Sequence, residues 1–237
     1  MKALLYILLF NFSVLCFAQT TNIPDPNFEQ ALIDLGIDSD ATVNGQVLTS
    51  DIETVTALDV RFRNINNLTG IEYFAALEDL NIRGNNLNTL DTSGNTLLKV
   101  LNCNTNPLNT ISISNNLLLE SLEIRGLHQL DNIDLSNNIN LETLNMTDCW
   151  IDTIDVSNNI NLKTFIAGGV SFSEIDVSNN LQLEHLDVTG VHLNALDVSN
   201  NVLLKELYCG NYGGDMGQEI SVIDLSSNIN LETFYAE

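Results

Sequence analysis

Apolar residues recur along most of this chain at a nearly fixed interval. Equivalent positions fall at Val55, Leu77, Leu98, Leu119, Leu141, Leu162, Leu183, Leu204 and Leu231, with spacings of 22, 21, 21, 22, 21, 21, 21 and 27 residues. Self-similarity at such a period predicts a repeat solenoid in which each unit forms one coil. In the unit from Leu141 to Asn161, Leu141, Leu144 and Met146 set a spacing of 3 then 2, Cys149 and Ile151 follow, and Ile154, Val156 and Asn159 restate the theme. Leu144 with Met146, and Ile154 with Val156, alternate with polar neighbours, which is the two-residue period of a strand. A short strand is therefore expected in each half of the coil. One coil cannot bury its apolar residues alone, so Leu101 must stack on Leu80 and Leu122, at about 4.8 Å per coil in parallel strands.

A different pattern precedes the repeats. Asp25 before Pro26 reads as an N-cap and first helical position, and Phe28, Ala31, Leu32 and Leu35 form one apolar stripe ending at Gly36. This predicts a helix that covers the first coil. Asn44-Gly45 between Val43 and Val47 predicts a hairpin turn. Residues 1–18 read as a secretory signal: Lys2 supplies the positive start, Ala3 to Leu15 is mostly apolar, and Ala18 is the small residue before cleavage. A lipid anchor on Cys16 is disfavoured by Leu15, which stands where a small residue is expected. The expected organisation is a signal peptide over 1–18, a capping region over 19–54, and an array over 55–237 of eight units and an incomplete ninth. The sequence stops at Glu237, seven residues into a unit. That predicts an exposed apolar ladder, hence a fragment or an end covered by something else. The unit from Leu204 is lengthened by Gly210 to Gln218, expected as a surface excursion and a tolerated insertion.

The LxxLxLxx(N/C)xL spacing resembles the leucine-rich-repeat family, and the second half, Ile154 to Asn159 as IDVSNN, resembles its nested bacterial subclass with two such motifs per unit. The stretch from Ile23 to Leu77 resembles the amino-terminal part of exported Bacteroidetes-type repeat proteins. The resemblance implies a solenoid of parallel short strands with an N-terminal helical cap, and one strand per unit lining a face that often binds protein. In such repeats an asparagine is common in the first half. Here it stands at Asn85 and Asn106 but becomes Cys149, Val170 and Val191, whereas the second half keeps it from Asn95 to Asn228.

Charge narrows the partners. The chain carries 8 Lys and Arg against 31 Asp and Glu, for a net −23, and loss of Lys2 with the leader leaves −24. A field of that sign repels nucleic acid and anionic lipid and favours cationic partners. Cys103, Cys149 and Cys209 would remain after processing, with no zinc or C-x-x-C spacing, and Cys103 and Cys209 fall on core positions.

Because side chains of one phase stack along a solenoid, a site should show as a column. Asp91, Asp134, Asp155, Asp176, Asp197 and Asp224 share a phase with Ser112. They are expected to accept hydrogen bonds from groups such as Ser157 and Ser178, with Ca²⁺ binding as the alternative. Their recurrence in nearly every unit argues against a catalytic pair, which should be a local departure. Glu78, Lys99, Glu120, Glu142, Lys163, Glu184, Lys205 and Glu232 interleave opposite signs, as relief of stacking repulsion. Pro107, His128, Trp150, Ser171 and His192 are expected along one ridge, and Tyr208 and Tyr235 at another outward phase, with His185 nearby. His128, Trp150, His192, Tyr208 and Tyr235 are the candidate partner-binding residues. No catalytic residue, metal site or cofactor is assigned. The function read from the sequence is a non-catalytic extracytoplasmic scaffold or adaptor that binds protein, exported to the periplasm, the cell surface or beyond. No membrane insertion is expected after signal cleavage. A glycan is the other ligand class, and two alternatives stay open: a polysaccharide-binding or polysaccharide-active β-helix-like protein, and a calcium-stabilised structural adhesin.

Overall fold

The computed structural model of the chain describes residues 19–171, 173–210, 220 and 222–236. The proposed signal segment and nearly all of the glycine-rich excursion lie outside the described residues. The chain opens with β1 (Thr20–Asn22), α1 (Pro26–Asp34), β2 (Gln46–Leu48) and α2 (Thr49–Ile52). Then follow β3 (Ala57–Asp59), a 3-10 turn (Ile71–Tyr73), β4 (Asp79–Asn81), β5 (Thr89–Asp91), β6 (Val100–Asn102), β7 (Thr110–Ser112) and β8 (Ser121–Glu123). The last are β9 (Thr143–Asn145), β10 (Thr164–Ile166), β11 (His185–Asp187), β12 (Glu206–Tyr208) and β13 (Thr233–Tyr235).

Nine of these strands form one parallel sheet in the order β13-β12-β11-β10-β9-β8-β6-β4-β3. Each begins two residues after one of the nine anchors, and the register is strict: Leu80 faces Leu58 and Leu101, and Leu101 faces Leu122. The middle residue of each strand from β3 to β12 in this sheet turns inward, so Leu58, Leu80, Leu101, Leu122, Leu144, Phe165, Leu186 and Leu207 are all buried, whereas Phe234 in the last strand is exposed. The fold is thus a solenoid of stacked coils with little helix. Among the described residues no helix is long and apolar enough to cross a membrane.

The second half of the coil departs from expectation. Only β5 and β7 pair there, among the described residues, and no strand forms at Ile154 and Val156. Side chains replace the ladder. Asn159 Nδ2 donates to the carbonyls of Leu135 (3.1 Å) and Asn138 (2.8 Å), and Asn180 Nδ2 to those of Val156 and Asn159 (2.9 Å each). The same bonding runs from Asn95 to Asn228, every member buried. The alternation was real, but an inward-outward pattern does not say whether neighbouring backbones pair. Cys149 sits in the first-half column, where its Sγ donates to the Ile124 carbonyl at 2.9 Å, much as Asn106 Nδ2 donates to those of Ile82 and Cys103.

Coils turn by a recurring device. The last residue of β4, Asn81, accepts the N–H of Arg83, and Asn102, Asn145 and Asp187 do the same for Asn104, Thr147 and Thr189. Such an Asx turn leads into a left-handed residue. Phe62, Gly84, Thr105, Gly126, Asp148, Gly169 and Gly190 form that column, with φ between +57° and +74°. At Gly84 a Cβ would stand 2.3 Å from the Phe62 ring, so a side chain there would have to displace that exposed ring, although the φ itself is also borne by Phe62, Thr105 and Asp148 in this column.

At the start of the chain, Asp25 caps α1 through Oδ1, which accepts from Asn27 and Phe28, while its Oδ2 accepts from Asn66 and Asn67 in the first coil. Phe28, Ala31 and Leu32 are buried, with Phe28 stacked on Phe74. Leu35 is exposed, because it is the C-cap and already turns away. Asn44-Gly45 does not join two hairpin strands: β2 pairs antiparallel with β1, from the far side of α1. The buried Glu29 carboxylate organises that bend, accepting the N–H groups of Asn44, Gly45 and Gln46.

Candidate binding surface

On the sheet, the residues flanking each buried middle position face outward and stack in two columns. Read along the registers, one runs from Ala57 and Asp79 to His185, Glu206 and Thr233, the other from Asp59 and Asn81 to Asp187, Tyr208 and Tyr235. Neither column contains Lys or Arg, while Asp59, Asp79, Glu123, Asp187 and Glu206 bring carboxylates. Over β3 to β9 one column is acid and amide throughout, Asp59, Asn81, Asn102, Glu123 and Asn145, and the other is small or aliphatic apart from Asp79. Over β11 to β13 the face becomes aromatic: His185 Nδ1 lies 2.8 Å from Glu206 Oε2, the His185 and Tyr208 rings stand 5.5 Å apart, and Tyr208 pairs in register with Tyr235. Tyr208 is half-buried and Tyr235 exposed. Tyr208, Tyr235 and His185 were legible as an outward phase. Glu206 was missed, although it lies 21 residues after His185 and is therefore its neighbour one coil on.

The ridge residues occupy a different phase, in the turn that follows the strand. His128 and Trp150 are brought together on adjacent coils, ring centroids 5.3 Å apart and tilted by 31°. Trp150 is 64% exposed. His192 is exposed but two coils beyond Trp150, with the exposed Ser171 between them. Pro107 is half-buried.

A third surface was not anticipated. One residue after the ladder asparagines from Asn116 to Asn201 stands an exposed aliphatic side chain: Leu117, Ile139, Ile160, Leu181 and Val202 are each 46–56% exposed and stack as a stripe, which Ile229 continues after Asn228. Half-buried Asn140 and exposed Asn161 border it, donating through Nδ2 to the Leu117 and Ile139 carbonyls. The signal was the repeated Asn-Ile or Asn-Leu step, which reads as part of a core unless the asparagine is known to point inward.

The aspartate column is a turn device. Asp155 Oδ1 accepts the Ser157 N–H at 2.9 Å and Asp176 Oδ1 that of Ser178 at 2.9 Å, and Asp91, Asp134, Asp197 and Asp224 repeat the bond. Hydrogen bonds from the serines hold all six carboxyls below the ordinary aspartate range. The charged column pairs as its alternation suggested: Lys99 with Glu78 and Lys163 with Glu142 at 2.7 Å, and Lys205 with Glu184 at 2.5 Å. Cys103 is fully buried, which pushes its thiol up, and Cys149 is likewise raised to about 11 by burial. Cys209 is only half-buried, since β13 is the last strand to cover it.

No protein-family model matches the chain, and no curated protein does. Solved structures do. The functional domain of InlJ from Listeria monocytogenes, described as including a cysteine ladder, is 24% identical with a TM-score of 0.52 over 93% of this chain and 62% of that one. An internalin C2 from the same organism is 19% identical, with a TM-score of 0.57 over 92% of this chain and 98% of that one. A TLR13–ssRNA13 complex gives 18% identity and a TM-score of 0.59 over 73% of this chain and 27% of that one. The chain therefore spans under two thirds of the InlJ domain. At these identities the likeness establishes the fold, a leucine-rich-repeat solenoid.

Proposed function

We propose that this chain is the recognition part of an exported, non-catalytic scaffold that grips a basic protein segment on the outward side of its nine-stranded sheet. The observation that carries the reading is the composition of the two outward strand columns: carboxylates with no Lys or Arg among them, the neighbouring Arg61 being tied to Asp59 at 3.2 Å, and ending in His185, Glu206, Tyr208 and Tyr235 held in contact. Amphipathic aromatic rings bury large areas at small entropic cost, and surrounding carboxylates favour Lys and Arg. The net charge of −23 repels a phosphate backbone, which supports a partner other than nucleic acid.

Within this reading residues 1–18 are the export signal, 19–54 the cap and 55–237 the array, and the mature protein works in the periplasm, on the cell surface or outside the cell. The absence of catalysis rests on sameness. Each aspartate of the repeated column makes the same bond to the serine two residues on, so none has the distinct environment an acid/base pair needs. A glycan is the second reading, favoured by the exposed ring of Trp150, since a flat exposed ring suits a sugar face.

Biolayer interferometry against Lys/Arg-rich, neutral and acidic peptides, with a glycan set alongside, tests this. The expectation is preference for the basic peptides, weakened at least about tenfold by Tyr208→Ala, in line with loss of an interface aromatic. Equal binding to acidic peptides, or basic-peptide binding indifferent to Tyr208→Ala and Tyr235→Ala, contradicts the proposal. Binding confined to glycans and lost in Trp150→Ala moves the function to the second reading.

A further inference from the structure

The cap contains a carboxylate that the solenoid does not use. Asp38 is 3% exposed; its Oδ1 accepts the Asp40 N–H at 3.3 Å, and its Oδ2 is buried with no partner. A buried carboxylate oxygen without a donor is costly, and proteins normally pair it or place it on a metal. No cationic side chain is available locally, because residues 19–60 contain neither Lys nor Arg. Asp40, Glu29 and Asp51 instead surround Asp38 with like charge, and burial together with these neighbours pushes its carboxyl above the ordinary range.

The order of residues around it is that of a cation loop. Asp38, Asp40, Asn44, Gly45 and Asp51 follow the helix–loop–helix calcium pattern D-x-[DN]-x-[DN]-G-x5-E from the glycine onward, with two residues inserted before Asn44 and Asp in place of the final Glu. Gly45 takes φ +86° at the sharp turn, α1 precedes the loop, and α2 carries Asp51. As the loop stands, its carboxylates accept hydrogen bonds from within it. Asp40 Oδ1 and Oδ2 accept the Thr42 N–H and the Asn44 amide at 2.8 Å each, and Asp51 Oδ2 accepts the Ser39 N–H at 3.0 Å. Among the described residues no three acidic, histidine or cysteine side chains converge at ligand distance.

We propose that residues 38–51 form a Ca²⁺ site: Asp38 Oδ2 takes the ion first, and Asp40, Asn44 and Asp51 close onto it. All available donors are oxygens, and no His or Cys lies between residues 19 and 60, so zinc is disfavoured. The lengthened loop suits the larger, more loosely coordinated Ca²⁺ over Mg²⁺, which demands near-ideal octahedral geometry. Two contacts carry the effect to the solenoid: Glu29 holds the bend at Asn44 to Gln46 from α1, and Asp25 ties the start of α1 to Asn66 and Asn67. The ion would therefore fasten the cap onto the first coil. This site is separate from the repeated aspartate column, whose carboxylates are engaged with serine N–H groups on the array.

Calcium titration of the full mature chain by calorimetry, with CaCl₂ as the only probe, tests it beside melting curves in EDTA and in CaCl₂. The expected result is one Ca²⁺ per chain with a dissociation constant of about 10⁻⁴ to 10⁻³ M, the range of extracellular modules, and a melting temperature that rises with the ion. Asp38→Asn should weaken binding at least about tenfold, since ligand charge sets affinity, and should melt no lower than wild type in EDTA, since it removes an uncompensated buried charge. Asp51→Asn supplies an independent variant with a half-buried side chain, and Asp176→Asn should bind as wild type does. No heat and no thermal shift at about 10⁻³ M Ca²⁺, an equal response to MgCl₂, or a response retained by Asp38→Asn and Asp51→Asn overturns the site.

Discussion

The two halves of each coil solve one stacking problem by different means. On the sheet side, main-chain bonds join the nine strands, and the outward positions are free to vary: one column holds Ala57, Asp79, Val100, Ser121, Thr143, Thr164, His185 and Glu206 in succession. On the other side backbones mostly fail to pair, and buried asparagines from Asn95 to Asn228 span the gap, preceded in most coils by the same aspartate and serine. The difference separates the surface that can be rewritten from the surface that cannot. Backbone bonds do not depend on which side chain stands outside, so the sheet face is where recognition can be built at little structural cost.

Ways to break this comparison can be ordered by size. The largest effect is expected from Asn159→Asp. It removes the two Nδ2 donors to Leu135 and Asn138 and puts a carboxylate among carbonyls, in a residue that is 0% exposed. A buried, unpaired charge of this kind costs about 3–5 kcal/mol, to be read from urea unfolding. A loss near zero would mean that the ladder is ornamental. A smaller effect is expected from acid. The aspartate column has depressed folded-state values, so the stability it contributes is present above the ordinary carboxylate range and is lost as pH falls through the lowered values. The urea midpoint should therefore fall between pH 6 and pH 3, and fall less steeply in Asp176→Asn. A profile unchanged by that substitution would deny the serine bonds their role.

Much of the sheet side could be read in advance because a nine-fold recurrence of anchors leaves little freedom in register, and His185, Tyr208 and Tyr235 follow as outward phases. The asparagine side was harder. Ile154 and Val156 alternate as strand residues do, but alternation reports which way side chains point and not whether the neighbouring backbone lies within bonding distance. The left-handed column escaped notice because Phe62, Thr105 and Asp148 interrupt its glycines, so no glycine motif marks it. In the cap, Asn44-Gly45 carried a familiar hairpin signature, yet the partner of β2 was β1, recruited across a helix. Asp38 drew no attention, since only burial distinguishes it from other loop aspartates.

The claim that side chains hold one half of the coil and main chain the other is tested most directly by urea unfolding of two single variants in parallel, Asn180→Ala on the ladder and Thr164→Ala on the outward sheet face. The account predicts a loss of about 2 kcal/mol for Asn180→Ala, from two buried hydrogen bonds removed at the Val156 and Asn159 carbonyls, each of which keeps only its backbone N–H donor, and a change within about 0.5 kcal/mol for Thr164→Ala. Equal losses, or a greater loss at Thr164, would contradict it.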